Sequence, residues 1–431
     1  MRRLQRQLNS RKVRTPVSAP YLDELSHDEH ALAGKNEFRQ MLAGFRQGDS
    51  GLIPVLLGLA ALVLYFYIRN HVFLTAGNIT NLFIQATIFV LLGMAEIWVL
   101  LLGEIDLSIG FVAAIGAAVA TILVDQNFHW PWFVAFLLAL IATTGIGLLS
   151  GLLVVFLKLP SFIVTLAGYL GWQGVLIYMV DKENSGGTVP VQEKVLYNLV
   201  YGNLSPLGTW LFIGLLILLG SVFMLRSYRN RRSSGLVYRS IYFTIAKIVA
   251  MVVAGVWLAI VLNTDRSTFS VIHGMPFAIP IDVAIVLGGT FILTKTKAGR
   301  YLYAIGGNRE AARRAGINVN FYRLMAFCLA GFTAGVAGLL YSSWLGGISD
   351  AIPGGTYVLY AVAAAVIGGT SLVGGRGKMV HAVIGGLVIA VIYNGMALLS
   401  VSVAVEYIVI AIVLIAAVTV DSVARRGNTA R

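Results

Sequence analysis

Two carboxylates interrupt a long apolar stretch in the run Gly103-Glu104-Ile105-Asp106-Leu107-Ser108-Ile109-Gly110. Between apolar segments a carboxylate is costly unless it is hydrated, paired or capping a helix. Asp106 stands just ahead of an apolar run, where its oxygens can accept from free backbone N–H groups and the helix dipole favours its charge. An interfacial cap is the first reading of Asp106 and a substrate ligand the second. A second polar motif, Gly306-Gly307-Asn308-Arg309-Glu310-Ala311-Ala312-Arg313-Arg314-Ala315-Gly316-Ile317, reads as a short independent helix. Asn308 suits its N-cap, Glu310 its first turn, Arg313 and Arg314 its last, and Gly316 its stop. Ala311, Ala312 and Ala315 then share one small apolar face, as on a surface helix beside lipid headgroups.

A third motif, Gly368-Gly369-Thr370-Ser371-Leu372-Val373-Gly374-Gly375-Arg376-Gly377-Lys378, ends in Gly-Lys like a phosphate-binding loop. Such a loop needs glycine five residues before Gly377, where Leu372 stands, and serine or threonine after the lysine, where Met379 stands. The segment reads instead as a flexible turn, and the chain carries no site for ATP hydrolysis. No His/Glu metal spacing and no serine, histidine and acid set gathers at one depth, so no catalytic residue, metal or cofactor is expected. Cys328 is the single cysteine, which excludes a disulfide or a thiolate metal site within one chain.

The elements that hold these motifs are apolar. Of 431 residues 58% are hydrophobic and 12% charged, whereas soluble domains average about 25% charged. Stretches long enough to cross a hydrocarbon core, about 20 residues each, recur along the chain, and lipid leaves helices as the default because it satisfies no backbone group. The reading is an all-α polytopic bundle of twelve spans near Gly51–Ile68, Ile79–Leu102, Leu107–Val124, Trp132–Leu157, Phe162–Val180, Gly208–Leu225, Ile241–Leu262, Phe277–Leu293, Phe321–Leu345, Tyr357–Val373, Val380–Leu399 and Val403–Val420. With the N-terminus inside, 27 of the 32 Lys and Arg fall on the cytoplasmic side, four on the other, and Lys247 within a span. That bias places both termini in the cytoplasm. The net charge of +13 thus reports topology, and nucleic acid is not a partner. Met1–Ser50, lacking a signal-peptide core, reads as an uncleaved, mobile cytoplasmic tail, and 421–431 as a second tail. Small residues such as Gly110, Ala113, Gly116, Gly331, Gly335 and Gly338 allow close helix approach. Gly168, Gly171 and Gly174 after Pro160 suggest a helix that packs tightly or breaks.

Taken together, Gly103–Gly110, Lys158–Gly168, Gly306–Ile317, Gly368–Lys378 and Asn394-Gly395-Met396 resemble the permeases of ATP-binding-cassette importers for ribose, arabinose, galactose and xylose. Glu104, where ribose-type members usually carry glycine, and the additional helix pair 208–262 with its basic Arg226–Arg239 connection resemble the xylose-type branch. The chain departs from the family at Val358-Leu359-Tyr360-Ala361, where members often carry Glu-Leu-Asp-Ala. The resemblance implies a multi-pass inner (plasma) membrane subunit for monosaccharide import, D-xylose first. It implies a separate ATP-binding subunit that uses the ATP, an external sugar-binding protein, and a second copy of the permease, all within membrane lipid. The 306–317 segment becomes the coupling helix to the ATP-binding subunit, through Asn308, Glu310, Ala311, Ala312, Arg313 and Gly316. Glu104, Asp106, Ser108, Gly368, Gly369, Gly374 and Gly375 become structural or gating motifs. A sugar is uncharged and rich in hydroxyls, so its path calls for neutral polar and aromatic groups, and Ser161, Thr165, Gln173, Tyr178 and Asn394 are the candidates.

The rival reading is an ion-coupled secondary transporter of a small polar solute, which is also polytopic. It expects ionisable relays in mid-membrane, and Glu96 reads as the only strong mid-span acid.

Overall fold

The computed structural model describes residues 53–125, 128–234, 241–266 and 272–429. The expected Met1–Ser50 tail lies outside them. Helices run in chain order as α1 (Ile53–Arg69), α2 (Ala76–Leu100), α3 (Ile109–Val124), α4 (Trp132–Phe156), α5 (Ser161–Glu183), α6 (Lys194–Tyr201), α7 (Pro206–Ser233), α8 (Ile241–Asn263), α9 (Ala278–Lys295), α10 (Lys297–Gly307), α11 (Arg309–Arg314), α12 (Val319–Leu345), α13 (Gly354–Ile367), α14 (Met379–Leu398) and α15 (Val403–Thr429). Among the described residues, eight are long and apolar enough to span a membrane, and four shorter apolar helices complete the set. Each expected span meets one of these twelve. The short helix expected within 306–317 is present as α11, and the additions are the short helices α6 and α10, a 3-10 turn at His71–Leu74 and a two-stranded antiparallel ribbon, in which β1 (Thr188–Pro190) pairs with β2 (Gly347–Ser349), Val189 opposite Ile348.

The bundle is organised around α2, which packs against α12, α13 and α14. Trp98 and Phe89 of α2 are fully buried, as are Phe111 of α3 and Phe327 of α12. Lipid supplies no hydrophobic drive between helices, so contact depends on fit. A Cβ on Gly338 of α12 would fall on the carbonyl of Ala113 in α3, and one on Gly385 of α14 on the carbonyl of Ala364 in α13. Gly331 likewise meets Thr143 of α4.

Two expectations change. The α13 span stops at Ile367 rather than Val373, because Gly369 takes a left-handed φ of +107° and closes the helix, with Thr370 N donating to Ala365 O. Helix α5 is unbroken, and of its three glycines only Gly168 packs closely, its Cβ position lying 3.3 Å from the Ser108 side chain, whereas a Cβ added at Gly171 or Gly174 would have no neighbour within 4 Å. Besides Glu96, two further acids are buried near the starts of apolar helices, Asp282 in α9 and Glu406 in the first turn of α15.

Candidate functional site

At the end of the bundle that the charge bias marks as cytoplasmic, three of the sequence motifs meet. Helix α2 ends in a left-handed turn at Gly103 (φ +72°), with Gly103 N donating to Leu100 O and Glu104 N to Val99 O at 3.1 Å. This glycine stop satisfies the last carbonyls of the helix and fixes the backbone of the next residue. Glu104 is therefore set in place by the way α2 terminates.

The glycine-rich segment after α13 closes against the same point. Gly375 N donates to Leu101 O at 2.9 Å, and Ser371 N donates to Arg376 O at 2.9 Å. Gly374 (φ +89°) and Gly375 (φ +72°) leave no room for a side chain, since a Cβ on Gly374 would lie 2.8 Å from Gly103 N and 3.1 Å from Gly306 O. A Cβ on Gly306 would overlap the Leu101 carbonyl, and Tyr303 of α10 donates to Gly377 O at 2.6 Å. Thr370 and Ser371 are buried. The segment expected to be a flexible turn is thus a packed junction, because three glycine backbones approach more closely than any residue with a side chain permits. Gly368 joins it by lying against the His381 carbonyl.

Glu104 is the charge at this junction. Its Oε1 accepts from Arg309 Nη2 of α11 at 2.7 Å and from Arg323 Nη2 and Nε of α12 at 2.7 and 3.0 Å. The Glu104 side chain is 7% exposed, Arg323 12% and Arg309 48%. Burial pushes the Glu104 carboxyl up, but the Ser161 hydroxyl and the Arg323 and Arg309 guanidiniums outweigh it and hold the pKa below the ordinary glutamate range. Around the carboxylate an open cleft is lined by Lys158, Pro160, Ser161, Arg309 and Arg323. In the sequence Arg323 bears only on topology, and Arg309 carries no role of its own in the 306–317 motif. An arginine near the start of an apolar span either reaches the polar interface or pairs with an acid, and Arg323 taken with Glu104 is the signal in the sequence that points to this cluster.

Asp106 does not cap α3. Its Oδ1 accepts from Ser108 N at 2.9 Å and Ser108 Oγ at 2.6 Å, and Ser108 is the N-cap, with no side-chain bond of its own into the first turn. The Asp106 oxygen that could cap the helix is taken instead by the backbone N–H and hydroxyl of Ser108.

Helix α11 begins as expected: Asn308 Oδ1 accepts from Ala311 N at 2.9 Å, and Gly316 (φ +80°) ends it, with Ile317 N donating to Ala312 O. Glu310 pairs with Arg313 and Arg314 at 2.9 and 3.2 Å. Gly306 and Gly307 belong to α10 instead. The alanine face divides, because Ala312 turns into the chain's own core with Leu101, Leu102 and Ile305 while Ala311 and Ala315 remain exposed. Of the three alanines, only Ala311 and Ala315 are open to the outside of the chain.

The five path candidates do not gather around one cavity. Ser161 borders the cytoplasmic cleft, and Thr165 is buried, donating to Ser161 O at 2.9 Å. Gln173 and Tyr178 lie farther along α5, half-buried and exposed. Asn394 is buried on α14 and accepts from Asn78 of α2 at 2.8 Å. A void between α2, α3, α12 and α13, lined by Leu92, Gly110, Ala113, Tyr341 and Tyr357, holds about 10 Å³. Small-molecule sites take roughly 300 Å³ or more, so it does not house a sugar. At the departure from the family pattern, Tyr360 donates its hydroxyl to Glu406 Oε1 at 2.6 Å, both buried.

A family model described as the permease component of branched-chain amino acid transport systems matches residues 78–418. The chain is 34% identical over 391 residues to the xylose transport system permease protein XylH of Escherichia coli K12, covering 90% of this chain and 95% of that protein. It is 29% identical to the D-allose transport system permease protein AlsC of the same organism over 349 residues, 81% of this chain and 84% of that one. With the ribose import permease protein RbsC of E. coli K12 it shares 31% over 356 residues, 81% and 87% of the two chains. No solved structure matches it. All three relatives are named as transport permeases rather than enzymes. With its apolar helices and matching motifs, this chain belongs to the permease family of ATP-binding-cassette sugar importers, as a multi-pass membrane protein.

Proposed function

We propose that this permease imports D-xylose. The observation that carries the reading is extent: the xylose relative aligns over 90% of this chain, whereas the allose and ribose relatives align over 81%. Glu104, where ribose-type permeases usually carry glycine, and the α7–α8 pair support it, since both are features of the xylose-type branch.

In this reading a separate ATP-binding subunit binds and hydrolyses the nucleotide and docks on α11, with Ala311 and Ala315 as the exposed apolar contact. An external binding protein delivers sugar to the opposite face. The bundle around α2 is filled, and its void is far below the size of a sugar. The path therefore runs along the outer surface of the chain, completed by a second copy, and α5 offers it the half-buried Gln173 and the exposed Tyr178 as neutral polar groups. Tyr360, Glu406 and Asn394 hold helices together rather than meet sugar.

The test is uptake of labelled D-xylose, D-ribose and D-allose by cells that lack only this permease. Loss of xylose uptake, with ribose and allose entry unchanged, is the expected result. Unchanged xylose uptake would overturn the assignment.

A further inference from the structure

We propose that the Gly103–Ser108 loop transmits movement between α11 and α5, and that Glu104 is the positioning residue that keeps the loop in register with both. The proposal rests on the docking of an ATP-binding subunit at α11. Three observations support it.

The loop is bonded on both of its sides. On one side Glu104 binds Arg309 of α11 and Arg323 of α12, residues 205 and 219 positions away. On the other, Ile105 N donates to Ser161 Oγ at 3.5 Å, and the Ile105 carbonyl accepts from Thr165 Oγ1 at 3.3 Å. Two consecutive residues thus join the docking segment to the first turn of α5. Ser161 and Thr165, path candidates in the sequence, take the role of a joint.

The two arginines are unequal. Arg323 is almost enclosed, while Arg309 is half-exposed at the edge of an open cleft. An exposed ion pair breaks cheaply and a buried one does not, because water replaces the lost partner only in the first case. Glu104 therefore stays with Arg323 while Arg309 releases and re-forms as α11 moves, which supplies the two arrangements that transmission between sites requires.

What lies at each end differs in freedom. The loop's base is locked, by Gly375 N on Leu101 O and by Asp106 N on Glu96 Oε1 at 3.4 Å. Helix α5 is the opposite case, with only 22% of its apolar stretch buried by the chain. A displacement at α11 is thereby directed away from the α2 core and into α5.

The experiment uses the whole importer, this chain with its ATP-binding subunit and binding protein, in proteoliposomes where sugar uptake and ATP hydrolysis are read together. Arg309→Ala is expected to lower sugar moved per ATP hydrolysed at least tenfold, and Arg309→Lys, which keeps the charge, to stay within threefold of wild type. A merely structural arginine would lower assembly and leave that ratio unchanged. Docking itself is read separately, by cross-linking from an Ala311→Cys chain to the ATP-binding subunit. Cross-linking with an unchanged ratio in Arg309→Ala overturns the transmission proposal alone. Loss of the ATP-binding subunit from the Arg309→Ala complex would assign Arg309 to docking and overturn it as well. Absence of any cross-link overturns the docking reading beneath it.

Discussion

Helices α2 and α8 are both long and apolar, and α8 is the more apolar of the two, yet 89% of the apolar stretch of α2 is buried inside the chain and only 11% of that of α8. Helix α7, the partner of α8, is equally uncovered. In water such apolar helices would be driven inward. In lipid, hydrophobicity sets only that a segment spans, and the centre of the bundle is chosen by fit and by polar groups that find partners. Around α2 the fit is close, with Gly93 against the Ala364 side chain and Gly386 against the backbone of Val90. In the hairpin, Gly214 faces no neighbour within 4 Å, and Gly220 faces only the end of the flexible Met251 side chain. Glycine is used in both regions, but around α2 several of its contacts are with backbone, whereas in the hairpin the closest glycines, Gly220 and Gly255, meet only side-chain atoms of Met251, Ile213 and Ile217.

The largest effect that separates the two regions comes from filling a central glycine. Gly338→Leu places its first carbon on the Ala113 carbonyl, and neither backbone can retreat because α3 and α12 are both enclosed. Overpacking of this kind costs about 3 kcal/mol or more. The variant is expected to yield no monodisperse protein after detergent extraction, as read by size-exclusion chromatography. A normal elution profile would show that the α3–α12 contact has slack, and the contrast with the hairpin would lose its basis.

How much of this was legible follows from the same contrast. The spans were readable because length and apolarity suffice to define them. The short helix α11 was readable too, since Asn308 and Gly316 are local signals that act within a few residues. The partners of Glu104 were not, because Arg309 and Arg323 stand more than 200 positions away and no local pattern links them. The split of the alanine face was hidden for a related reason: helical spacing groups Ala311, Ala312 and Ala315, while burial depends on the rest of the fold, which takes Ala312 alone of the three into the core cluster that includes Leu101 and Leu102. The glycine junction shows in the sequence as three separate motifs. That they meet is a property of helix ends brought together by packing, which spacing along the chain does not encode.

A middle-sized effect tests the polar half of the comparison. Tyr360 and Glu406 lie at the contact of α13 and α15, and the Tyr360 hydroxyl is the donor that the Glu406 carboxyl receives at 2.6 Å. Tyr360→Phe keeps the ring, with its edge-on contacts to Phe89 and Tyr357, and removes only that donor. Leaving a buried acceptor unmade costs about 1–3 kcal/mol. The melting temperature of the detergent-solubilised chain is expected to fall by a few degrees, well short of the collapse expected for Gly338→Leu. An unchanged melting temperature would mean that the pair adds nothing to the bundle.

The smallest effect is expected at Gly214 of α7. Its added side chain meets nothing in the chain, so no contact opposes it, and a helix interior favours alanine over glycine by roughly 0.5–1 kcal/mol because glycine loses more backbone freedom on ordering. Gly214→Ala should therefore leave the melting temperature unchanged or slightly raised, and Gly214→Leu should stay within about 0.5 kcal/mol of wild type, as exposed substitutions do. Both should keep sugar uptake. The informative failure is specific: if Gly214→Leu spares the isolated chain but lowers transport in the assembled importer, the α7–α8 face is covered by a second protein surface rather than lipid. The hairpin would then share with α2 the need for close approach, met between chains instead of within one.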